Sequence, residues 1–168
     1  MLCKKKWICI VFSLFLVGVF ACSEPPSPDT SEADLQAIRA ITDNFDVAVN
    51  ADDYRALAEL YDDDAVRMPN EAPPQIGKDA IREWFRLEGE QYLREIDNVV
   101  RDVQVFGDWG YMWGDTSGLL TPMNGGEPIT VDSKWMSVVR RQPDGSWKVY
   151  RDIYNSNSPP TISEGSES

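Results

Sequence analysis

From about Ile96 onward the apolar residues of this chain stop recurring at helical spacing and begin to recur at every second position. Val99, Arg101, Val103 and Val105 alternate with Val100, Asp102, Gln104 and Phe106, the period of a strand. After a Gly107-Asp108 turn, "WGYMWGDTSGLLT" places Trp109, Tyr111, Trp113 and Asp115 on one face and Gly110, Met112, Gly114 and Gly118 on the other. "MNGGEP" is a turn, and "ITVDSKWMSVVRRQ" and "SWKVYRDIY" form a hairpin closed by Pro143-Asp144-Gly145. Upstream the period is helical. A first helix starts near Ser31 with Leu35, Ile38, Ile41, Phe45 and Val49 on one face. A short second helix carries Leu57, Leu60 and Tyr61, and a third follows Gly77 with Ile81, Trp84, Phe85 and Glu88 on neighbouring turns. Between them "DDDAVRMPNEAPPQIG" reads as a strand broken by prolines into a long loop. Helices first and long strands afterwards imply an α+β domain with helices on one face of a curved antiparallel sheet.

The two ends stand outside that pattern. "MLCKKKWICIVFSLFLVGVFAC" has a basic start at Lys4 to Lys6, then an apolar run that stops at Cys22. It reads as a cleaved export signal over residues 1–21. The box Val19-Phe20-Ala21-Cys22 resembles a bacterial lipoprotein signal, which implies cleavage before Cys22 and lipid on that cysteine. Ser23 after the cysteine implies onward transport to an outer membrane where there is one. Residues 22–30 are a proline-rich tether, residues 31–157 the folded domain, and residues 158–168 a disordered tail.

Composition narrows the chemistry. Cys3, Cys9 and Cys22 lie in or at the edge of the signal, so the domain has no cysteine for a disulfide, a thiol nucleophile or a zinc site. There is no histidine, which excludes Ser-His-Asp and Cys-His mechanisms and imidazole-ligated metals. Acid-base work must fall to Asp, Glu, Tyr, Lys or water. The net charge of -12 understates the acidity of the domain, because three lysines lie in the signal and every acidic residue follows it. Such a field repels nucleic-acid phosphates, so no nucleic-acid partner is expected. Asp62-Asp63-Asp64 reads as a solvated turn rather than a cation site, and Gly77-Lys78 as a helix start. No metal or cofactor is expected.

Four stretches, "NADDYRALAELYDDDAVRMP", "IGKDAIREWF", "FGDWGYMWGD" and "KWMSVVRRQPDGSWKVYRDIYNSN", resemble the NTF2-like superfamily, in particular its SnoaL-like and DUF4440-type members, which are related to ketosteroid isomerase. The resemblance spans nearly all of residues 31–157. It implies a cone of three N-terminal helices packed on a strongly curved antiparallel sheet, with an apolar pocket at the open end and dimers through the convex face. The isomerase chemistry is not implied. Phe45 stands where the family's steroid isomerases place a proton-donating tyrosine, and Met68 or Pro69 where they place the aspartate base.

In the last strand, strict alternation puts Trp147, Val149, Arg151, Ile153 and Asn155 on the row facing the helices, and Lys148, Tyr150, Asp152 and Tyr154 on the convex, partner-facing row. Arg151 would then lie beside the pocket with Asp46 or Asp115 as its carboxylate partner, or form a purely structural ion pair. The pocket candidates are Arg151, Asn155, Asp46, Tyr61, Trp84, Trp113 and Asp115. The aromatic residues as a group belong to the core more than to a ligand site. The functional expectation is an envelope-anchored domain that binds a small apolar or amphipathic ligand and forms a homodimer. The alternative is an enzyme of isomerase, dehydratase or hydrolase type using carboxylate and tyrosine groups. The anchoring expectation is checked by membrane fractionation: Cys22→Ser should release the protein or leave the precursor uncut, and a mutant processed and anchored like wild type would refute it.

Overall fold

A computed structural model describes residues 32–158. The expected signal, the lipid-bearing Cys22, the tether, the Ser31 cap and all of the tail beyond Ser158 lie outside the described residues. Helix α1 spans Glu32–Asn50 and buries Ile38, Ile41, Thr42, Ala48 and Val49. A short α2, Tyr54–Glu59, is capped by Asp53, whose carboxylate accepts from the Ala56 amide. Strands β1, Tyr61–Met68, and β2, Gln75–Ile76, precede α3, Lys78–Gly89. Four long strands follow: β3, Tyr92–Phe106; β4, Trp109–Pro122; β5, Ile129–Arg141; and β6, Trp147–Ser156.

The α+β class is as expected, but the sheet differs from the expectation. It is six-stranded and mixed, in the order β2-β1-β6-β5-β4-β3, because β1 runs parallel to β6 while every other pair is antiparallel. It is open, with β2 and β3 as its two edges, and is not strongly curled. The acidic run Asp62 to Asp64 lies in β1 and not in a turn, with Asp63 and Asp64 solvent-exposed as expected. Asp62 is buried and accepts from Arg140 and Gln142. Burial pushes its carboxyl up, and the bonds from Arg140 and Gln142 outweigh that and hold it at about 2.

Two bulges reset the alternation that the sequence pattern assumes to be strict. Across β3 and β4, Val100 pairs with Gly114 and Asp102 with Trp113, which leaves Arg101 as an extra residue. Across β5 and β6, Val138 pairs with Arg151 and Val139 with Val149, which leaves Tyr150 extra. An unpaired residue exchanges the two faces for every position beyond it. In β3 the row under the helices is therefore Arg94, Ile96, Asn98 and Val100, then Val103 and Val105. In β6 it is Trp147 and Val149, then Asp152 and Tyr154. β4 carries no bulge against β5, and its rows are as predicted: Gly110, Met112 and Gly114 are buried, and Trp109 and Trp113 lie on the outer face.

Helix α1 is fastened to the sheet at both ends. Near its start Asp34 accepts both Nη atoms of Arg141, at 2.7 and 2.8 Å, and the Trp147 indole N–H at 3.1 Å. At its end the Asn50 side chain bonds both backbone groups of Ile96, donating to the carbonyl at 2.8 Å and accepting from the amide at 2.7 Å. One turn earlier Asp46 accepts from the backbone and side-chain nitrogens of Asn98. Between these fastenings the helix spans the sheet as a roof.

Candidate functional site

Under that roof lies a cavity of about 170 Å³. α1 contributes Ile41, Thr42, Phe45 and Val49, α3 contributes Phe85 and Glu88, and the floor is the inner face of the sheet. Its walls are mainly apolar. Phe45 and Phe85 meet edge-to-face at 5.6 Å, and Met112 and Val149 are buried, whereas Ile96, Leu120 and Val131 are only half-buried. Gly114 shapes one wall. It lies opposite Trp135, and a Cβ there would stand 2.7 Å from the indole and 2.1 Å from the Val99 carbonyl oxygen. The missing side chain is what lets the Trp135 ring lie across β4.

One region of the cavity is polar and holds a buried cation. Arg67, 6% exposed, comes from the inner row of β1, and its guanidinium packs against the rings of Phe85 and Tyr154, at 4.5 and 4.8 Å. Its Nε lies 3.5 Å from Asp152 Oδ2. Asp152 also accepts from the Tyr61 hydroxyl at 3.1 Å and the Ser137 hydroxyl at 2.8 Å. Burial, then the nearby Asp152 charge, raise the Tyr61 phenol well above its ordinary range, so it stays a proton donor. Burial alone would weaken the Arg67 cation. The surrounding Tyr61, Asp152, Tyr154 and Glu88 outweigh it, and the guanidinium remains charged. Arg94, also buried, is held by Asp52, Glu88 and the Phe85 carbonyl.

Of the residues expected at the pocket, Tyr61 lines the cavity. Asp46 stands one contact away, through Asn98, and burial pushes its carboxyl up, partly offset by the Asn98 bonds. Trp84 packs on the edge of the core and is not part of the lining. The remaining expectations are corrected. Arg151 lies on the outer face, its guanidinium 3.6 Å above the Tyr150 ring and bonded to the Tyr150 and Asp64 carbonyls. Neither Asp46 nor Asp115 pairs with it, because Asp46 is taken by Asn98 and Asp115 by Arg101. Asn155 and Trp113 are exposed on the outer side of the sheet. The cause in β6 is the Tyr150 bulge, which turns Arg151, Ile153 and Asn155 out and Asp152 and Tyr154 in.

The residues the pattern missed are Arg67, Trp135, Ser137, Asp152 and Tyr154. A signal existed for Arg67, since Ala65 and Arg67 alternate with Val66 and Met68 in β1 and share the buried row. Trp135 was signalled by a glycine at its cross-strand position. Nothing in the sequence marked the bulge.

The chain belongs to the SnoaL-like domain family, whose model matches residues 41–150. Among solved structures it is similar to a ketosteroid isomerase-like protein from Erwinia carotovora atroseptica, with 25% identity and a TM-score of 0.71 over 77% of this chain and 100% of that one. A conserved protein from Planctomyces limnophilus superposes with a TM-score of 0.69 at 23% identity, over 75% of this chain and 99% of that one. A protein provisionally assigned as a dehydratase of the NTF2-like family, from Streptomyces avermitilis, does so at 0.66 and 18% identity, over 77% and 100%. Together these define an NTF2-like fold. No functionally curated protein matches the sequence.

Asp152 holds the polar region together, as the carboxylate 3.5 Å from Arg67 Nε and as acceptor for two hydroxyls. Asp152→Ala should cost about 3–5 kcal/mol, because it leaves a buried guanidinium uncompensated. The double variant Arg67→Met/Asp152→Ala should recover much of that loss. Urea denaturation of the three proteins checks this, and strictly additive costs would show that the two groups do not interact.

Proposed function

We propose that this SnoaL-like domain binds a small apolar or amphipathic molecule in the cavity beneath α1, and that it does so as an envelope-anchored dimer. The observation that carries the reading is the cavity, which joins mainly apolar walls to one buried polar region. Its 170 Å³ suits a one-ring molecule, since an engineered apolar cavity of roughly 150 Å³ binds benzene. Ligand sites have this character, apolar walls with few polar groups that fix orientation.

The relatives described as isomerase-like or as dehydratases keep a catalytic reading in view, and the Tyr61–Asp152 contact is the feature that favours it. Two points of geometry weigh against it. Both Asp152 oxygens already accept from hydroxyls, and its nearest cation is Arg67, so this carboxylate is arranged to be held and not to take a proton. Phe45, facing the cavity from α1, has no proton to give. The binding reading is tested by denaturing the natively purified protein and identifying by mass spectrometry what is released. A small apolar compound should appear in stoichiometric amount, and Val131→Trp, which fills the half-buried side of the cavity, should abolish it. A released compound that Val131→Trp retains in full would place binding elsewhere.

The dimer reading moves to a different set of residues from the one first expected. Tyr154 and Asp152 point into the cavity and cannot meet a partner subunit. The outer face instead carries Trp113, Met136 and Ile153 side by side across β4, β5 and β6, exposed by 41%, 45% and 42%. Lys134, Asp115 and Arg101 border this apolar row with charge, the composition of an interface with a polar rim. Trp113→Glu with Ile153→Glu should give monomers in light scattering with the circular dichroism unchanged. A wild-type protein that is itself monomeric, or a variant of unaltered mass, would sink the dimer.

A further inference from the structure

We infer that the cavity selects a neutral one-ring molecule bearing a hydrogen-bond-accepting oxygen, an aryl ketone being the simplest case, and that Arg67 and Trp135 are the side chains that read that oxygen. The inference rests on the binding reading above and gives it a ligand class.

Several polar groups of the lining are already in use. The hydroxyls of Tyr61 and Ser137 donate to Asp152, that of Thr116 to Asn98, and that of Thr42 to the Met112 sulfur. The Asn98 amide donates to Asp46. Three lining residues keep buried nitrogens with no hydrogen-bond partner among the described residues, Arg67 at Nη1, Trp135 at Nε1 and Arg94 at Nε, while Arg67 Nε has only the 3.5 Å ion pair with Asp152. Arg94 is otherwise held through both of its Nη atoms. Every one of these groups is a donor. A buried donor left unmatched is costly, so the molecule that fits must bring an acceptor.

Charge decides what kind of acceptor. Arg67 faces Asp152, with Glu88 also near it, and Arg94 faces Asp52 and Glu88, so two cations stand among three carboxylates. A ligand carboxylate would shed its hydration in a region with no surplus positive charge. A carbonyl oxygen meets the unused donors without that penalty, and its ring covers the apolar walls. Arg67 is well suited to this task because Phe85 and Tyr154 pack on its guanidinium and fix its plane.

Calorimetric titration of the intact protein with acetophenone, ethylbenzene and benzoate separates the terms, because the three share a ring and differ in the oxygen and the charge. Acetophenone should bind at least about tenfold more tightly than either of the others, the range expected for one well-placed hydrogen bond. Trp135→Phe, which keeps the ring and removes the N–H, should cut that preference severalfold while ethylbenzene affinity stays within about twofold. Arg67→Met/Asp152→Ala, which removes the cation together with its counter-charge, should cut it further. Equal binding of acetophenone and ethylbenzene would leave a ligand cavity but overturn the oxygen-reading role. Tightest binding of benzoate would overturn the neutral class. Failure of all three to bind would remove the inference and the binding reading together. If the double variant does not fold, the Trp135→Phe comparison decides alone, and an undiminished ketone preference there overturns the assignment.

Discussion

The fastening of α1 at both ends is the constraint on which the interior depends. The helix touches the β5–β6 hairpin through Asp34, Arg141 and Trp147 and the opposite edge strand through Asn50 and Asp46. Those contacts fix its height above the sheet. A helix free to settle would close onto the inner row, since apolar surfaces in contact are favoured over a void by dispersion and by the hydrophobic term. Held at two ends between the β5–β6 hairpin and β3, it packs tightly where Ile38 meets the core and leaves space farther along, between Phe45 and the floor. The cavity is thus a consequence of spacing set by polar contacts.

What fills the polar region follows from the composition. A chain without histidine has no side chain whose ordinary charge changes near neutral pH. The ionisable groups in the cavity are two guanidiniums, carboxylates and phenols, and the two phenols that line it, Tyr61 and Tyr154, are both shifted upward by burial. Neither phenol therefore loses its proton near neutral pH.

The class of fold was legible because helical and strand periods are segregated along the chain, with the change near the start of β3. The inner face of α1, the start of α3 after Gly77 and the turn at Gly145 followed from local chemistry. The site was less legible, for one physical reason. Alternation identifies a face only while the ladder is regular, and β3 and β6 each contain one extra residue, Arg101 and Tyr150. Neither bulge carries a glycine or proline that would announce it. The apolar start of β6, Trp147 and Val149, was placed correctly, and the assignment failed two residues later, where Arg151 and Asp152 exchange faces. The parallel pairing of β1 with β6 was hidden for a related reason, since it joins segments about 80 residues apart and leaves no local signal.

The Asn50 contact has a consequence for how this protein meets others of its kind. β3 is the long edge of an open sheet, and an edge strand displays unpaired amides and carbonyls that invite another strand to join it. At Ile96 both of those groups are taken by a single side-chain amide, and at Asn98 the amide is taken by Asp46. The end of the helix behaves as a substitute strand, copying the bonds a neighbour would make while offering no backbone beyond itself to extend the ladder. Growth of the sheet sideways into a fibril is blocked at that point of the edge.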